Sequence, residues 1–359
     1  MELLCLDGGS SSLKYAAYRA GSTGLERIAA GTENATGEGD ADLARVLADI
    51  VPYLDGSVEA VGHRVVFGGL TYDAPVRADD NVLRELESLV PVEPLHLRGE
   101  LDLIYAAQRR FPSVPQVLCF DTAFHRQSPP IAKRLPLPAG IDPLLTRYGF
   151  HGLSYEYIAS ELSPDAGATV VAHLGSGASL CAMRNGKPLD TTMSFSALGG
   201  LMMGTRPGDL DPGILVRLLE ADGYDAARLS ELLYRESGLL GVSETTSDMR
   251  LLVAAAGSDP RAAGAIELFI YQLIKHLGAM IAVLGGLDTL VFTGGIGENA
   301  PVIRASTCER LAYLGARLNS DANQRNAREI SAAQTGVKVL VIPTDENLMI
   351  ARHVLRLLD

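Results

Sequence analysis

The feature that most constrains this chain is a stretch that occurs twice. Leu3 to Tyr18, LLCLDGGSSSLKYAAY, is an apolar run, a turn packed with glycine and serine, and a second apolar run. Thr169 to Arg184, TVVAHLGSGASLCAMR, has the same layout, and laying Ser12-Leu13 over Ser179-Leu180 puts Gly8 over Gly175 without a gap. Strand formers on either side of glycines that tolerate positive φ predict strand, tight turn and strand in each copy. A chain of 359 residues has room for about two domains of ~150 residues, so the repeat points to a duplicated α/β unit. Turns of this kind aim backbone N–H groups and small hydroxyls into one concavity, which suits phosphate oxygens. Ordinary hairpins carry such turns as well; Lys14, just after the first turn, and the later segments favour the phosphate alternative. Two phosphate-facing hairpins on related domains imply a cleft between them.

Composition narrows the partners. Apolar residues make up 47% and charged residues 21%, as in folded soluble proteins. A net charge of −12 gives no general attraction to nucleic acid or to an anionic membrane, so bound phosphate needs a local positive site. Cys5, Cys119, Cys181 and Cys308 lie far apart, which predicts buried thiols in a reducing cytoplasm instead of a zinc site or a redox pair. Met1-Glu2 runs straight into a strand with no basic-then-apolar leader. The longest apolar stretch, Ala262 to Leu287, carries Glu267, Lys275 and His276 and is expected as a buried or interface helix, not a membrane span.

Along the chain, Thr32 to Asp42 is expected as a polar turn and Ala41 to Tyr53 as a helix. Val58 to Phe67 is expected as a strand that carries Arg64 just before a Gly-Gly turn, either as a solvated edge arginine or as a ligand. Helices over Asp79–Leu89 and Arg98–Arg110 precede a strand, Gln116–Phe120. Asp121 follows it, where α/β folds place site residues, or where an N-cap would start a turn. Pro129, Pro130, Pro136, Pro138 and Pro143 mark the domain boundary: residues 1–128 plus 347–359 in one domain, 129–346 in the other. In RYGFHGLSYEYIA, His151 stands between an aromatic and a glycine at a helix start, as a structural hydrogen-bonder or, with Gly152 leaving one ring face open, as a functional group. The run from Lys187 to Leu215 is too rich in glycine for regular structure, holds Arg206, and has the length of a functional loop. Helices are expected from about Ile214, Ala226, Asp248 and Arg261. The strand Thr289–Phe292 ends in TGGIGENA at a helix start, a site for anionic phosphate without the G-x-G-x-x-G spacing. The strand Lys338–Ile342 leads to Glu346 at the start of the terminal helix.

Taken in order, LDGGSSSLKY, GHRVVFGG, FDTAFH, RYGFHG, HLGSGAS, LMMGTRPGDLDP, SDMR, TGGIGEN and IPTDEN resemble the acetate kinase family, whose duplicated actin-like (ribonuclease H-like) fold is shared with sugar kinases, actin and heat-shock chaperones. The resemblance runs over nearly the whole chain. It implies an α/β protein of two such domains, a homodimer, and transfer of the γ-phosphoryl group of ATP to a short-chain carboxylate with Mg²⁺, or Mn²⁺ in its place. It implies that Arg64 and Arg206 hold the carboxylate and the phosphoryl group, that His151 donates to the phosphoryl oxygens, and that His96 and His173 support them. Asp121 would orient the arginines, with Glu346 and Asp7 on the metal side. Val66, Leu95, Phe150 and Ala197 would wall the acyl pocket. Ser10, Ser12, Lys14, Gly175, Ser176 and Gly177 would contact phosphates, and Asp248, Arg250, Gly295, Ile296, Gly297 and Asn299 would line the nucleotide site. Such a reaction needs no general base, because a carboxylate with a pKa near ~4 is already ionised at neutral pH. It needs positive charge and aligned donors.

The chain departs from the family's pattern at Asp7 (usually asparagine), Phe67, Leu97-Arg98, Tyr155, Ser176, Gly199 and Ala197 (usually a proline that closes the acyl pocket), and it is short for the family. The loss at Ala197 predicts a roomier pocket and a substrate that can exceed acetate. The rival from another class is a non-catalytic ATP-binding switch of the same fold. A sugar or polyol kinase would want a carboxylate base and leaves the two arginines and the histidine without a purpose.

Overall fold

The computed structural model describes residues 1–9, 12–22, 24–138 and 140–359. Its described residues form two sheets. In the first, β1 (Glu2–Gly8), β2 (Ser12–Gly21), β3 (Gly24–Asn34), β4 (Ala60–Val65), β5 (Val76–Arg77) and β6 (Gln116–Phe120) lie in the order β3-β2-β1-β4-β6-β5. In the second, β7 (Ala168–Leu174), β8 (Ala178–Arg184), β9 (Lys187–Thr191), β10 (Thr289–Thr293) and β11 (Lys338–Val341) lie in the order β11-β10-β7-β8-β9. Each sheet opens with an antiparallel meander whose first strand then pairs in parallel with a later one: β1 with β4, and β7 with β10. The order β3-β2-β1-β4-β6 thus superposes on β9-β8-β7-β10-β11, and the doubled sequence motif is a doubled topology.

The chain divides into two units, Met1–Arg126 with Phe150–Tyr157 and Asp345–Asp359, and Gln127–Gly149 with Ile158–Thr344. In the first unit β1 is buried on both faces, which is why it reads as an unbroken apolar run. Leu4 and Leu6 pack with Leu43, Val46 and Ile50 of the helix Gly39–Ile50 and with Leu103 of the helix Leu97–Arg110. Leu3 and Cys5, pointing the other way, pack with Leu153 and with Met349, Ile350 and Val354 of the terminal helix Glu346–Leu358. Gly62 in β4 permits that helix to approach, since a Cβ there would lie 2.4 Å from Ile350 Cγ2.

Three expectations differ from the structure. Thr32–Asn34 belong to β3, not to a turn, and Lys187–Thr191 form β9 at the head of the supposed loop. Both strands lie at a sheet edge, where pairing with the neighbour decides the conformation and an exposed face carries charge, so their own patterns are weak. Residues 150–157 join the first unit and not the continuous 129–346 segment, because Leu153 is buried in the core between β1 and the terminal helix.

In the second unit the helix Pro260–Leu284 has the length and apolarity to cross a membrane. Asp259 caps its start by accepting from Arg261 N at 2.9 Å, and Gly285, at φ 72°, ends it. Its residues Phe269, Leu273, Leu277, Met280 and Leu284 are buried against β8 and the helices Gly238–Ser243 and Met249–Ala255, whereas Leu268, Tyr271 and Val283 are exposed.

Candidate active site

In the first unit the carboxyl ends of the parallel strands converge on a charged cluster, the usual ligand position of α/β sheets. Near the end of β1, Asp7 lies opposite Lys14 in the β1–β2 register. β4 supplies Arg64, and Asp121 follows β6 directly, its N–H bonded to Val65 O at 3.0 Å. Arg64 Nε and Nη2 donate to Asp121 Oδ2 at 3.0 and 2.6 Å, and Nη1 donates to Gly8 O at 3.0 Å and to Asp7 Oδ1 at 3.3 Å. Asp121 is fully buried, so Arg64 is no solvated edge residue and Asp121 is more than a turn starter. Burial works against the Arg64 charge, but Asp121, Asp7 and Glu346 outweigh it and raise its pKa further. Lys14 Nζ lies 3.5 Å from Glu346 Oε2 and 3.8 Å from Asp7 Oδ2, and these two carboxylates raise its pKa. Burial, followed by repulsion from Asp7, pushes Glu346 up to about 7 despite Lys14 and Arg64.

Beside this cluster Phe150 is buried and its ring stacks on Phe67 with centroids 6.5 Å apart. His151 holds a left-handed backbone at φ 58°, uncommon for a side chain with a Cβ and a frequent mark of functional turns. The glycine after it has a different cause from the open ring face expected. A Cβ on Gly152 would come 2.0 Å from Asp121 O, so this glycine lets the helix start press against the strand end that carries Asp121. His125 Nε2 donates to Phe150 O at 2.9 Å, and burial pushes its pKa down to about 4. Tyr155 is buried against the rings of Phe124 and His125. Val66 is buried, and its backbone N donates to Glu100 Oε2 at 2.9 Å. Leu95 and His96 line a neighbouring cavity with Gly8 and Gly9, and His96 Nδ1 contacts Glu93 Oε1 at 2.8 Å. In the first turn Gly9 N donates to Ser12 O at 2.7 Å. Ser10 lies outside the described residues.

The second unit holds the other named residues. In its first turn Gly175 N donates to Gly177 O at 2.9 Å, with His173 opposite Ser179 in the β7–β8 register and Ser176 O accepting from Gly204 N at 3.0 Å. Arg206 sits in the irregular stretch after β9, where its Nη1 donates to Ala197 O at 2.8 Å. β10 leads into the short helix Gly294–Asn299, which contains Gly295, Ile296 and Gly297, and Asn299 Nδ2 donates to Gly295 O at 3.0 Å. Asp248 caps the helix Met249–Ala255, and the exposed Arg250 folds back on it with Nη2 2.6 Å from Oδ2, which pushes Asp248 down to about 2.

Two supports escaped the sequence reading. Arg304 is fully buried, and its Nη1 donates to Gly297 O and Glu298 O at 2.8 and 2.9 Å, while Nε and Nη2 are held by Asn323 and Asn326. Its signal is an arginine among apolar helix residues. Glu100 has a similar signal, since it lies on the buried stripe of Leu97, Leu101 and Ile104.

The fit to a hard cation can be tested on the donor set. Among the described residues no three His, Cys, Asp or Glu side chains gather as a closed metal cage. Mg²⁺ needs none, because it takes one or two carboxylates and keeps water and phosphate oxygens in its other positions. Asp7 and Glu346 share Lys14, and burial followed by repulsion from Asp7 raises the pKa of Glu346, so a cation beside the two carboxylates would relieve that repulsion. The residues therefore fit such an open site.

Comparison with known proteins agrees over nearly the whole chain. The model of the Acetokinase family matches residues 23–352. An acetate kinase of Rhodopseudomonas palustris is 45% identical, covering 99% of this chain and 98% of that protein. The crystal structure of Porphyromonas gingivalis acetate kinase covers 100% of both chains with a TM-score of 0.89 at 34% identity. That of a propionate kinase from Francisella tularensis covers 98% of both with a TM-score of 0.90 at 32% identity.

Proposed function

Because this chain belongs to the acetokinase family and is a carboxylate phosphotransferase of the actin-like fold, we propose that it passes the γ-phosphoryl group of ATP to acetate or a somewhat larger short-chain carboxylate by direct in-line transfer. A carboxylate oxygen forms the new bond to phosphorus as the bond to the ADP oxygen breaks, giving acyl phosphate and ADP. Arg64 carries the reading. Its guanidinium is clamped by Asp121 and Gly8 and held charged, while its contact to Asp7 is the longest of the four, leaving that side the easiest for an anion to contest. A flat fork of donors matches carboxylate and phosphoryl oxygens.

In this reading Arg64 and Arg206 hold the two anions, His151 donates to the phosphoryl oxygens, and Val66, Leu95, Phe150 and Ala197 bound the acyl group. Ser12, Lys14 and the Gly175–Gly177 turn face phosphates, and the Gly295–Gly297 segment with Asp248 and Arg250 borders the nucleotide. Mg²⁺ would be held by Asp7 and Glu346 and would supply charge neutralisation between the phosphates. Ala197 in place of a pocket-closing proline supports acceptance of chains longer than acetate. The exposed Leu268, Tyr271 and Val283 support a homodimer, four free, buried thiols support a cytoplasmic protein, and the net charge of −12 supports a protein without nucleic-acid or membrane partners.

The test is trapping of acyl phosphate with hydroxylamine in the presence of Mg-ATP and formate, acetate, propionate, butyrate or longer acids, with Arg206→Ala as control. Product that disappears in the control supports the reading, and its chain-length profile reports the pocket. Binding of ATP without product from any acid overturns it in favour of a nucleotide switch.

A further inference from the structure

Behind the first glycine turn, within the first unit, lies a cavity of about 250 Å³ lined by Gly8, Leu13, Leu95, His96, Glu100 and Leu103 among others. It adjoins the Arg64 cluster through Gly8 and Glu100, and Leu95 lies on its lining. Gly8 O accepts from Arg64, Glu100 Oε2 accepts from the backbone of Val66, and Leu95 belongs to the proposed acyl wall. Its polar groups are unusual. Glu100 is 4% exposed and Glu93, behind His96, is 1% exposed, yet each keeps one buried oxygen, Glu100 Oε1 and Glu93 Oε2, with no hydrogen-bond partner among the described residues. Neither forms an ion pair with lysine or arginine among the described residues. Glu93 Oε1 fixes the Nδ1 side of His96, so Nε2 is the ring's other polar atom. The buried end of the cavity therefore offers leucine side chains and, at Glu100, a carboxyl oxygen without a partner among the described residues, and the cation on its lining, Arg98, is an exposed residue.

Buried polar groups without partners are costly, and a site built around them discriminates strongly in favour of a ligand that supplies the missing hydrogen bond. Resting on the carboxylate-kinase reading, we infer that this cavity is a subsite for the tail of the acyl group, and that Glu100 and His96 select a short hydroxy acid over the alkyl acid of equal size. The carboxylate takes the phosphoryl group as before and the hydroxyl passes through unchanged, hydrogen-bonded to Glu100 or His96. Glu100 is a specificity residue in this scheme, and Glu93 positions His96.

The experiment compares matched pairs in the full chain: glycolate with propionate, and 3-hydroxypropionate with butyrate. For each, kcat/KM in the hydroxylamine assay and equilibrium affinity by calorimetry are measured. At least one hydroxy acid is expected to exceed its partner by ~10-fold or more in both. Glu100→Leu is expected to bring that ratio to one or below, and Glu100→Gln, which keeps the Val66 bond and a polar group at the other position, to retain most of it. A wild-type ratio of one or less in both pairs, or a ratio that survives Glu100→Leu, overturns the subsite. If Glu100→Leu does not fold, the wild-type ratio together with His96→Phe decides in the same way. Failure to phosphorylate any acid overturns the kinase reading instead, and the affinity ratio then still decides the subsite.

Discussion

Arg64 and Asp121 form the tightest pairing of the candidate site, and their worth is a matter of burial. Removing one partner of a buried pair leaves the other charge uncompensated, at a cost of about 3 to 5 kcal/mol. Asp121→Asn is therefore expected to lower the unfolding midpoint in urea and to cut kcat/KM by about 100-fold, equivalent to ~2.7 kcal/mol of transition-state stabilisation. Gly152 makes a sharper case, because its side chain is absent for a reason of distance. With Asp121 O 2.0 Å from where a Cβ would stand, Gly152→Ala must displace either the helix start or the strand end. A loss of about 2 kcal/mol or more is expected, with activity falling alongside it. A variant as stable and active as the parent in thermal melts and the hydroxylamine assay would contradict that account. At this scale the sequence named residues more readily than reasons: glycine after histidine was visible, its contact with Asp121 was not.

At the scale of elements, the short helix Gly294–Asn299 owes its setting to a neighbour. Arg304 distributes its donors over the carbonyls of Gly297 and Glu298 and over Asn323 and Asn326, with no carboxylate partner among the described residues, and burial pushes its pKa down to about 10. Arg304→Ala strands those buried acceptors, at about 1 to 3 kcal/mol for each left unsatisfied. It is expected to destabilise the chain by about 3 kcal/mol and to raise KM for ATP more than KM for the acid. An equal rise in both would mean that the helix does not serve the nucleotide. The hairpins and central strands were legible because their apolar runs and glycine turns are local signals. β3 and β9 were not, because an edge strand is recruited by its neighbour's free backbone groups more than by its own side chains.

At the scale of the whole molecule, buried titratable groups set opposing dependences on pH. Burial pushes His63 down to about 4, and His125 likewise to about 4, so the unfolded chain takes up these protons first as pH falls. Their contribution is complete above ~6.5 and is lost between there and 4. Burial pushes Glu100 up to about 8, and Glu346 up to about 7, so in the folded chain they hold protons that the unfolded chain releases. Their contribution is complete below ~4.5 and is lost as pH rises toward 7 and 8. Between about 4.5 and 6.5 the two effects cancel, and above 6.5 the glutamates act alone. Unfolding free energy is expected to be nearly level across the lower window and to fall by about 2 kcal/mol or more from pH 6.5 to 8. Glu100→Gln should flatten that fall in urea titrations at several pH values, whereas an unchanged slope would show that Glu100 is ionised in the folded state.

The sequence by itself determined the repeated strand-turn-strand unit, the family, and the identities of the charged residues at strand ends, because turns, apolar periodicity and short motifs are encoded by neighbours along the chain. Only the tertiary structure decided which of those charges face one another, why Gly152 must be glycine, and that Glu93, Glu100 and Arg304 lie buried with their particular partners or without them. Burial and pairing depend on chain segments far apart in sequence, and no local pattern carries that distance.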